Sequence, residues 1–127
     1  MCDVLVLEDE DLVRMVVVAM LEDNGLQVRE AATPEEAIDV AEQPSGCSVL
    51  VTDIDLGVRG VNGFGVAAAL RRSKPTLPVV YMSGRPWVLE EHPLTGNERA
   101  LSKPFALADL LGAVQALRQT MTSTSHA

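Results

Sequence analysis

A run of apolar residues near the middle of the chain ends on two carboxylates. The segment VLVTDIDLG extends from Val49 to Gly57, with Asp53 directly after the apolar and β-branched residues and Asp55 two positions later. A charge at the end of a buried strand is costly unless another group pairs with it. We therefore expect partners for Asp53 to come from other parts of the chain.

Other apolar runs also end on groups that could take part in chemistry. Glu8 and Asp9 follow the first run, Ser83 ends a later one, and Lys103 follows the last. The carboxylates of Glu8, Asp9 and Asp53 would repel one another unless a cation lay among them, and an all-oxygen ligand set suits Mg²⁺. Lys103 and Ser83 would then stabilise the oxygens of a phosphoryl group arriving at Asp53, since carboxylates are known to form aspartyl-phosphates.

The elements that must position these groups alternate along the chain. Apolar and β-branched runs predict strands at 3–8, 26–31, 48–53 and 78–83, and a short fifth strand within 100–105. Helical spacing of apolar residues predicts helices at 9–25, 33–43, 63–74 and 106–120, with a short helix within 85–99. This alternation predicts a parallel sheet with right-handed crossovers and helices on both faces. The carboxyl ends of such strands share one edge, which is where the polar groups fall.

The length and net charge of the chain limit the classes of protein to which it can belong. A chain of 127 residues fits one domain, and its net charge of −8 disfavours a nucleic-acid-binding surface. No apolar run approaches the roughly 18–20 residues of a membrane span, and the first residues lack the features of a signal peptide. We expect a cytoplasmic protein with no membrane contact, in which residues 1–121 form the domain and residues 122–127 a flexible tail.

The two cysteines precede predicted strands and could be near neighbours. Cys2 and Cys47 have no spacing typical of a metal site, so we interpret them as small buried or half-buried thiols. A structural disulfide is not expected in a reducing compartment.

Four segments together resemble the receiver domains of response regulators, the CheY-like family. They are VLVLEDED, VLVTDIDL, VVYMSG and LSKPF, and the resemblance extends from about residue 3 to residue 120. It implies an α/β, three-layer, doubly wound fold (flavodoxin/CheY-like), with a five-stranded parallel sheet of order 2-1-3-4-5 and five helices.

The resemblance also implies roles for individual residues. Asp53 matches the phosphoacceptor, Ser83 the switch hydroxyl and Lys103 the phosphate-pairing lysine. Glu8, Asp9 and Asp53 would bind Mg²⁺ together with the backbone carbonyl of Asp55. The peptide bond between Lys103 and Pro104 is expected to be cis.

The partners implied by the family are proteins. The phosphoryl donor would be a sensor histidine kinase or a histidine phosphotransfer protein, and the downstream target would be an unidentified protein and not DNA. We expect a stand-alone receiver, monomeric or dimerising on phosphorylation. It would be no enzyme beyond its self-catalysed phosphorylation and dephosphorylation.

Three features depart from the common pattern of the family. The acidic pair is Glu-Asp, the loop after Asp53 is about two residues longer than usual, and Ala100 stands where an aromatic switch residue is usual. We therefore expect the loop at 57–60 and the short fourth helix to be the moving parts. We also expect Asp55 and Arg85 to flank the phosphate site, where they could pair across its mouth and hinder an attacking water.

Other functions remain open. The main alternative is a degenerate receiver that acts as a binding module without phosphorylation. The spacing in DIDLG also matches a haloacid-dehalogenase-type phosphatase, although that motif normally lies on the first strand. A flavin binder of the same topology would need a phosphate loop after the first strand, where this chain is acidic.

Overall fold

The computed structural model describes residues 2–44, 46–58, 60–85 and 87–126. The elements, in chain order, are β1 (Cys2–Leu7), α1 (Asp11–Glu22), β2 (Val28–Ala31), α2 (Pro34–Ala41), β3 (Cys47–Asp53), β4 (Asp55–Val58), β5 (Val61–Asn62), α3 (Gly63–Leu70), β6 (Val79–Ser83), α4 (Trp87–Glu90), β7 (Glu98–Ser102) and α5 (Leu107–His126). The main sheet is parallel with the order β2-β1-β3-β6-β7, which is the predicted order 2-1-3-4-5 because β6 and β7 are its fourth and fifth strands.

Alternate residues of the strands point to opposite faces of the sheet and build two apolar layers. One layer packs against α1 and α5, and its buried members include Val4, Val6, Val49, Val51, Val80, Met82, Val17, Leu21, Leu110, Val114 and Leu117. The other packs against α2, α3 and α4, and includes Leu5, Leu7, Leu50, Tyr81, Ala37, Val40, Val66 and Leu70, with Leu89 packed against it. The fold is therefore the expected three-layer α/β arrangement.

Local capping explains where two of the helices begin. The side chain of Thr33 accepts a hydrogen bond from the backbone N–H of Glu36 at the start of α2, where Pro34 occupies the first helical position. The side chain of Asn62 likewise accepts a hydrogen bond from the backbone N–H of Gly65 at the start of α3. These caps fix the first turns of the helices that cover one face of the sheet.

The expectation that the cysteines remain free thiols is wrong in this structure. Cys2 and Cys47 are opposite each other in the register of β1 and β3, with their Cα atoms 4.5 Å apart, and they form a disulfide. They are neighbours, as expected. A reducing compartment would disfavour a disulfide, but the pairing of β1 with β3 brings the two cysteines close enough to form one.

Two segments differ from their sequence predictions. The loop after Asp53 contains an antiparallel hairpin, β4 and β5, which the sequence did not predict. The closing helix α5 extends to His126, through most of the segment predicted as a tail, and Ala127 lies outside the described residues. The flexibility of that segment stays a prediction. The short fourth helix is confirmed, with only four residues.

Among the described residues, no helix combines the length and the apolar character that a membrane crossing requires.

Candidate functional site

Three carboxylates meet at the carboxyl edge of the sheet. Each of Glu8, Asp9 and Asp53 offers an oxygen within 4.8 Å of the others. They come together because β1 and β3 are adjacent and parallel, so that Glu8 and Asp9 leave one strand beside the point where Asp53 ends the other. Glu8 is completely buried and Asp53 is 4% exposed, whereas Asp9 faces solvent.

Lys103 connects two of these acids. Its ammonium Nζ donates to Glu8 Oε1 at 2.7 Å and lies 3.3 Å from Asp53 Oδ2. The backbone N–H of Lys103 donates to the carbonyl of Ser83 at 2.7 Å, and the Lys103–Pro104 peptide bond is cis, as expected. The lysine thus holds the buried Glu8 in an ion pair and keeps a positive charge beside Asp53.

The balance of charge in the site favours a divalent cation. Three carboxylates and one ammonium leave two negative charges uncompensated in the cluster. Burial raises the pKa of both Asp53 and Asp9, because desolvation penalises their charged forms. Burial alone would lower the pKa of the Lys103 ammonium, but its carboxylate neighbours raise it, so the lysine stays charged. Oxygen ligands with this residual charge fit Mg²⁺, which Glu8, Asp9 and Asp53 would hold.

The hydroxyl of Ser83 is hydrogen-bonded within its own loop. Ser83 Oγ donates to the carbonyl of Arg85 at 3.1 Å and accepts from the backbone N–H of Arg85 at 2.9 Å. Ser83 is fully buried at the end of β6, the strand next to β3. The residue therefore stands at the predicted edge, but its hydroxyl is bonded to the loop in this structure.

Arg85 forms the predicted pair with Asp55. The guanidinium Nε donates to Asp55 Oδ2 at 3.1 Å, and Nη2 donates to Asp55 Oδ1. Asp55 follows Asp53 by two residues and Arg85 follows Ser83 by two, so the pair joins the two loops that leave β3 and β6. The pairing across the mouth of the site is confirmed.

Two glycines bring the backbone against the acidic cluster, and the sequence analysis missed both. Gly57 has a positive φ of 68°, and a Cβ there would lie 2.7 Å from Asp9 Oδ2. A Cβ on Gly63 would lie 2.5 Å from the carbonyl oxygen of Asp53. The signal was present in the glycines of the segment LGVRGVNGF, because glycine is typical where two chain segments approach closely. Arg59, in the loop between them, lies outside the described residues.

A second buried polar group supports the strand that carries Ser83. Glu98 is 3% exposed and accepts hydrogen bonds from Arg71 at 2.9 Å, from the Tyr81 hydroxyl at 3.0 Å and from the backbone N–H of Thr95 at 3.0 Å. Burial alone would raise the pKa of Glu98, but these three hydrogen bonds together hold it below its ordinary value. Burial, followed by the contact with Glu98, raises the pKa of the Tyr81 hydroxyl.

An aromatic cluster surrounds Tyr81, the neighbour in the sheet of Ala100, and Ala100 is the position at which the resemblance implies an aromatic residue. Tyr81 is opposite Ala100 in the register of β6 and β7. The ring of Phe64 lies 4.7 Å from that of Tyr81 and stacks on His92 at 3.7 Å. Tyr81 therefore supplies an aromatic ring on the strand next to Ala100, and Phe64 of α3 and His92 after α4 contact that ring.

Comparison with known proteins gives a consistent result. The family model for the response regulator receiver domain matches residues 4–115. A putative NtrX-like response regulator of Rickettsia bellii is 32% identical over 83 residues, covering 65% of this chain and 17% of that protein. The sensor kinase CckA of Brucella abortus is 31% identical over 115 residues, covering 88% of this chain and 12% of the kinase. The chain thus spans about a sixth or less of the length of these relatives.

A solved structure agrees with the sequence comparisons. A response regulator receiver protein from Sinorhizobium medicae superposes with a TM-score of 0.80 at 28% identity, covering 92% of this chain and 94% of the other. Receiver domains generally bind Mg²⁺ at an acidic pocket, and Glu8, Asp9 and Asp53 form an acidic cluster at the corresponding edge of the sheet. The family model covers nearly the whole sheet and its helices, and the chain therefore belongs to the response regulator receiver domain family of two-component signalling.

Proposed function

We propose that Asp53 accepts a phosphoryl group from the phosphohistidine of a sensor histidine kinase or a histidine phosphotransfer protein, and that the chain then signals through protein–protein contacts. In this transfer a carboxylate oxygen of Asp53 forms a bond to phosphorus, and the bond between phosphorus and the donor histidine nitrogen breaks. The chain would also catalyse its own dephosphorylation, when water attacks the same phosphorus.

The observation that carries this proposal is the position of Lys103. Its ammonium is fixed by the buried Glu8 and lies 3.3 Å from Asp53 Oδ2, so a positive charge is already in place where phosphoryl oxygens would arrive. A bound Mg²⁺ would supply further positive charge for those oxygens. Ser83 would have to exchange its bond to the Arg85 carbonyl for a phosphoryl oxygen, since its hydroxyl has a single proton to donate.

An exposed apolar surface beside the site supports a protein donor. Leu12, Met15 and Val16 on α1 are 75%, 63% and 52% exposed. Together with Pro104 and Phe105, residues of α1 line a groove of about 470 Å³ that reaches Lys103. Contiguous exposed apolar surface is typical of protein-binding sites, and this groove lies at the rim that any phosphoryl donor must approach.

The test is the intact mass of the full chain after incubation with Mg²⁺ and a small phosphoryl donor. We would use acetyl phosphate and phosphoramidate, whose P–N bond mimics that of phosphohistidine. The expected result is a single added phosphoryl group that requires Mg²⁺ and is absent in Asp53→Asn. Asp55→Asn is the matched control, because it removes a carboxylate two residues away and should still be phosphorylated.

Two other results would contradict the proposal. A folded wild-type chain that gains no phosphoryl group from either donor would refute the proposal and favour a phosphorylation-independent receiver that acts as a binding module. Phosphorylation that persists in Asp53→Asn would place the acceptor elsewhere. Circular dichroism of each variant would establish that it is folded.

A further inference from the structure

The disulfide joins the two strands that carry the acidic cluster, at their opposite ends. β1 begins at Cys2 and leads to Glu8 and Asp9, and β3 begins at Cys47 and ends at Asp53. The bond therefore lies at the amino edge of the sheet, a strand's length from the site, and it covalently connects the two strands on which the site depends.

The surroundings of the disulfide combine burial with a route of access. Cys2 and Cys47 are only 6% and 5% exposed, which shields the bond from large molecules. Cys47 nevertheless lines a cavity of about 440 Å³ between the ends of α2 and α3. Lys74 lines the same cavity, and its Nζ donates to the carbonyl of Cys47 at 2.7 Å. Small solutes that enter this cavity meet Cys47 beside the side chain of Lys74.

We propose that Cys2 and Cys47 form a reversible redox pair, which small thiols open and hydroperoxides close through the cavity at Cys47. In this way the redox state of the surroundings controls the stability of the strands that carry the acidic cluster. This proposal does not depend on phosphorylation of Asp53.

Reduction and oxidation of the Cys2–Cys47 pair each proceed in two steps. In reduction, a thiolate attacks the sulfur of Cys47, the bond to Cys2 breaks, and the Cys2 thiolate takes up a proton. A second thiol then displaces Cys47 from the mixed disulfide, so that two thiols are oxidised to one disulfide. In oxidation, the Cys47 thiolate attacks one oxygen of hydrogen peroxide, the O–O bond breaks, and the departing hydroxide takes a proton from solvent, which gives a sulfenic acid and water. The thiol of Cys2 then attacks that sulfur, forms the disulfide and releases a second water.

The expected effect follows from the separation of the cysteines. They are 45 residues apart, so the bond restricts a large loop of the unfolded chain. On the loop-entropy scale for a loop of this size, and with the usual dependence of melting temperature on stability for a small domain, reduction should lower Tm by roughly 10–20 °C.

The test compares reduced and peroxide-treated full-length protein. Wild type treated with hydrogen peroxide, after dithiothreitol has been removed, should lose two hydrogens in its intact mass. It should yield a peptide that links Cys2 to Cys47 and melt at the higher temperature. Renewed dithiothreitol should reverse both changes. Cys2→Ser should melt at the same temperature in both conditions, because no partner remains for Cys47.

Three results would overturn the proposal. The first is folded wild type that forms no internal bond with peroxide. The second is a bond that survives dithiothreitol in the folded protein, which would make it a fixed structural link. The third is a Tm that does not differ between the two states. Because all three are measured on the wild type, a variant that fails to fold would not affect the conclusion.

Discussion

Replacing Arg85 with alanine should make the phosphorylated chain lose its phosphoryl group faster. The guanidinium of Arg85 makes two hydrogen bonds to the carboxylate of Asp55, and the pair joins the loops that follow β3 and β6. Asp53 ends β3, where the first of these loops begins, so we expect water that attacks a phosphoryl group there to pass the pair. Arg85→Ala removes one side of this barrier without touching Lys103 or the acidic cluster.

The solvent exposure of this ion pair limits the expected increase in the dephosphorylation rate. The side chains of Arg85 and Asp55 are 51% and 45% exposed, and exposed ion pairs favour their closed arrangement only modestly. We therefore expect the dephosphorylation rate to rise roughly two- to fivefold. The difference between variant and wild type should shrink at high ionic strength, because salt screens an exposed pair and opens it in the wild type too.

The assay follows the intact mass of the protein with time. Each protein is phosphorylated with acetyl phosphate and Mg²⁺, the donor is removed, and the phosphorylated fraction is measured at fixed Mg²⁺. Arg85→Lys should give an intermediate rate, since lysine keeps the charge but cannot make two parallel hydrogen bonds. Arg72→Ala is the matched control, because Arg72 is an exposed arginine past the end of α3, at the opposite edge of the sheet.

Two outcomes would refute this reasoning. An unchanged rate in Arg85→Ala would show that the pair does not limit the access of water. An equal acceleration in Arg72→Ala would show that loss of positive charge anywhere on this acidic chain is sufficient, and that the position across the mouth is irrelevant.

Three further predictions follow from close contacts and buried charge. Gly57→Ala and Gly60→Ala both place alanine at a positive φ, but only Gly57→Ala puts a Cβ against the outer carboxylate of the acidic cluster. Both should therefore lose stability, while only Gly57→Ala should weaken Mg²⁺ binding in a calorimetric titration. Gly63→Ala should destabilise the fold by about 1–3 kcal/mol in urea unfolding, because its Cβ would meet backbone atoms that cannot move easily. Gly65→Ala, in the same first turn of α3 but at an exposed position with ordinary space around it, should be neutral or stabilising by up to about 1 kcal/mol. The lowered pKa of Glu98 contributes stability that is present above its ordinary value of 4.5 and is lost as the pH falls through the folded-state value. The free energy of unfolding, measured by circular dichroism at decreasing pH, should therefore depend less steeply on pH below 4.5 in Glu98→Gln than in wild type. The same steepness in both proteins would contradict this prediction.

The strands were the most predictable part of the fold. β3 was predicted at 48–53 and spans Cys47–Asp53, because a continuous apolar run in an alternating chain has few alternatives to a buried parallel strand. The fifth strand of the sheet was placed too late, within 100–105, whereas β7 spans Glu98–Ser102. Its first residue is a buried glutamate with three hydrogen-bond partners, and a charged residue in isolation does not indicate burial.

The site was predictable in its membership and less so in its arrangement. That Glu8, Asp9, Asp53, Ser83 and Lys103 share one edge followed from their positions at strand ends in a parallel sheet. The sequence did not predict which of the two adjacent acids, Glu8 or Asp9, would be buried. The structure buries Glu8 against Lys103 and leaves Asp9 exposed. The choice depends on which of two adjacent side chains points inward as the strand ends.

The amino-acid sequence by itself determined the alternation of the main-sheet strands with the helices and the chemical character of the edge at which those strands end, because both depend on local patterns along the chain. Only the tertiary structure decided which groups touch. Three features join segments far apart in sequence: the bond between Cys2 and Cys47, the pair of Arg85 with Asp55, and the approach of the backbone at Gly57 to Asp9. Such contacts depend on strand register, loop path and side-chain direction together, and a difference of one residue in register would abolish them.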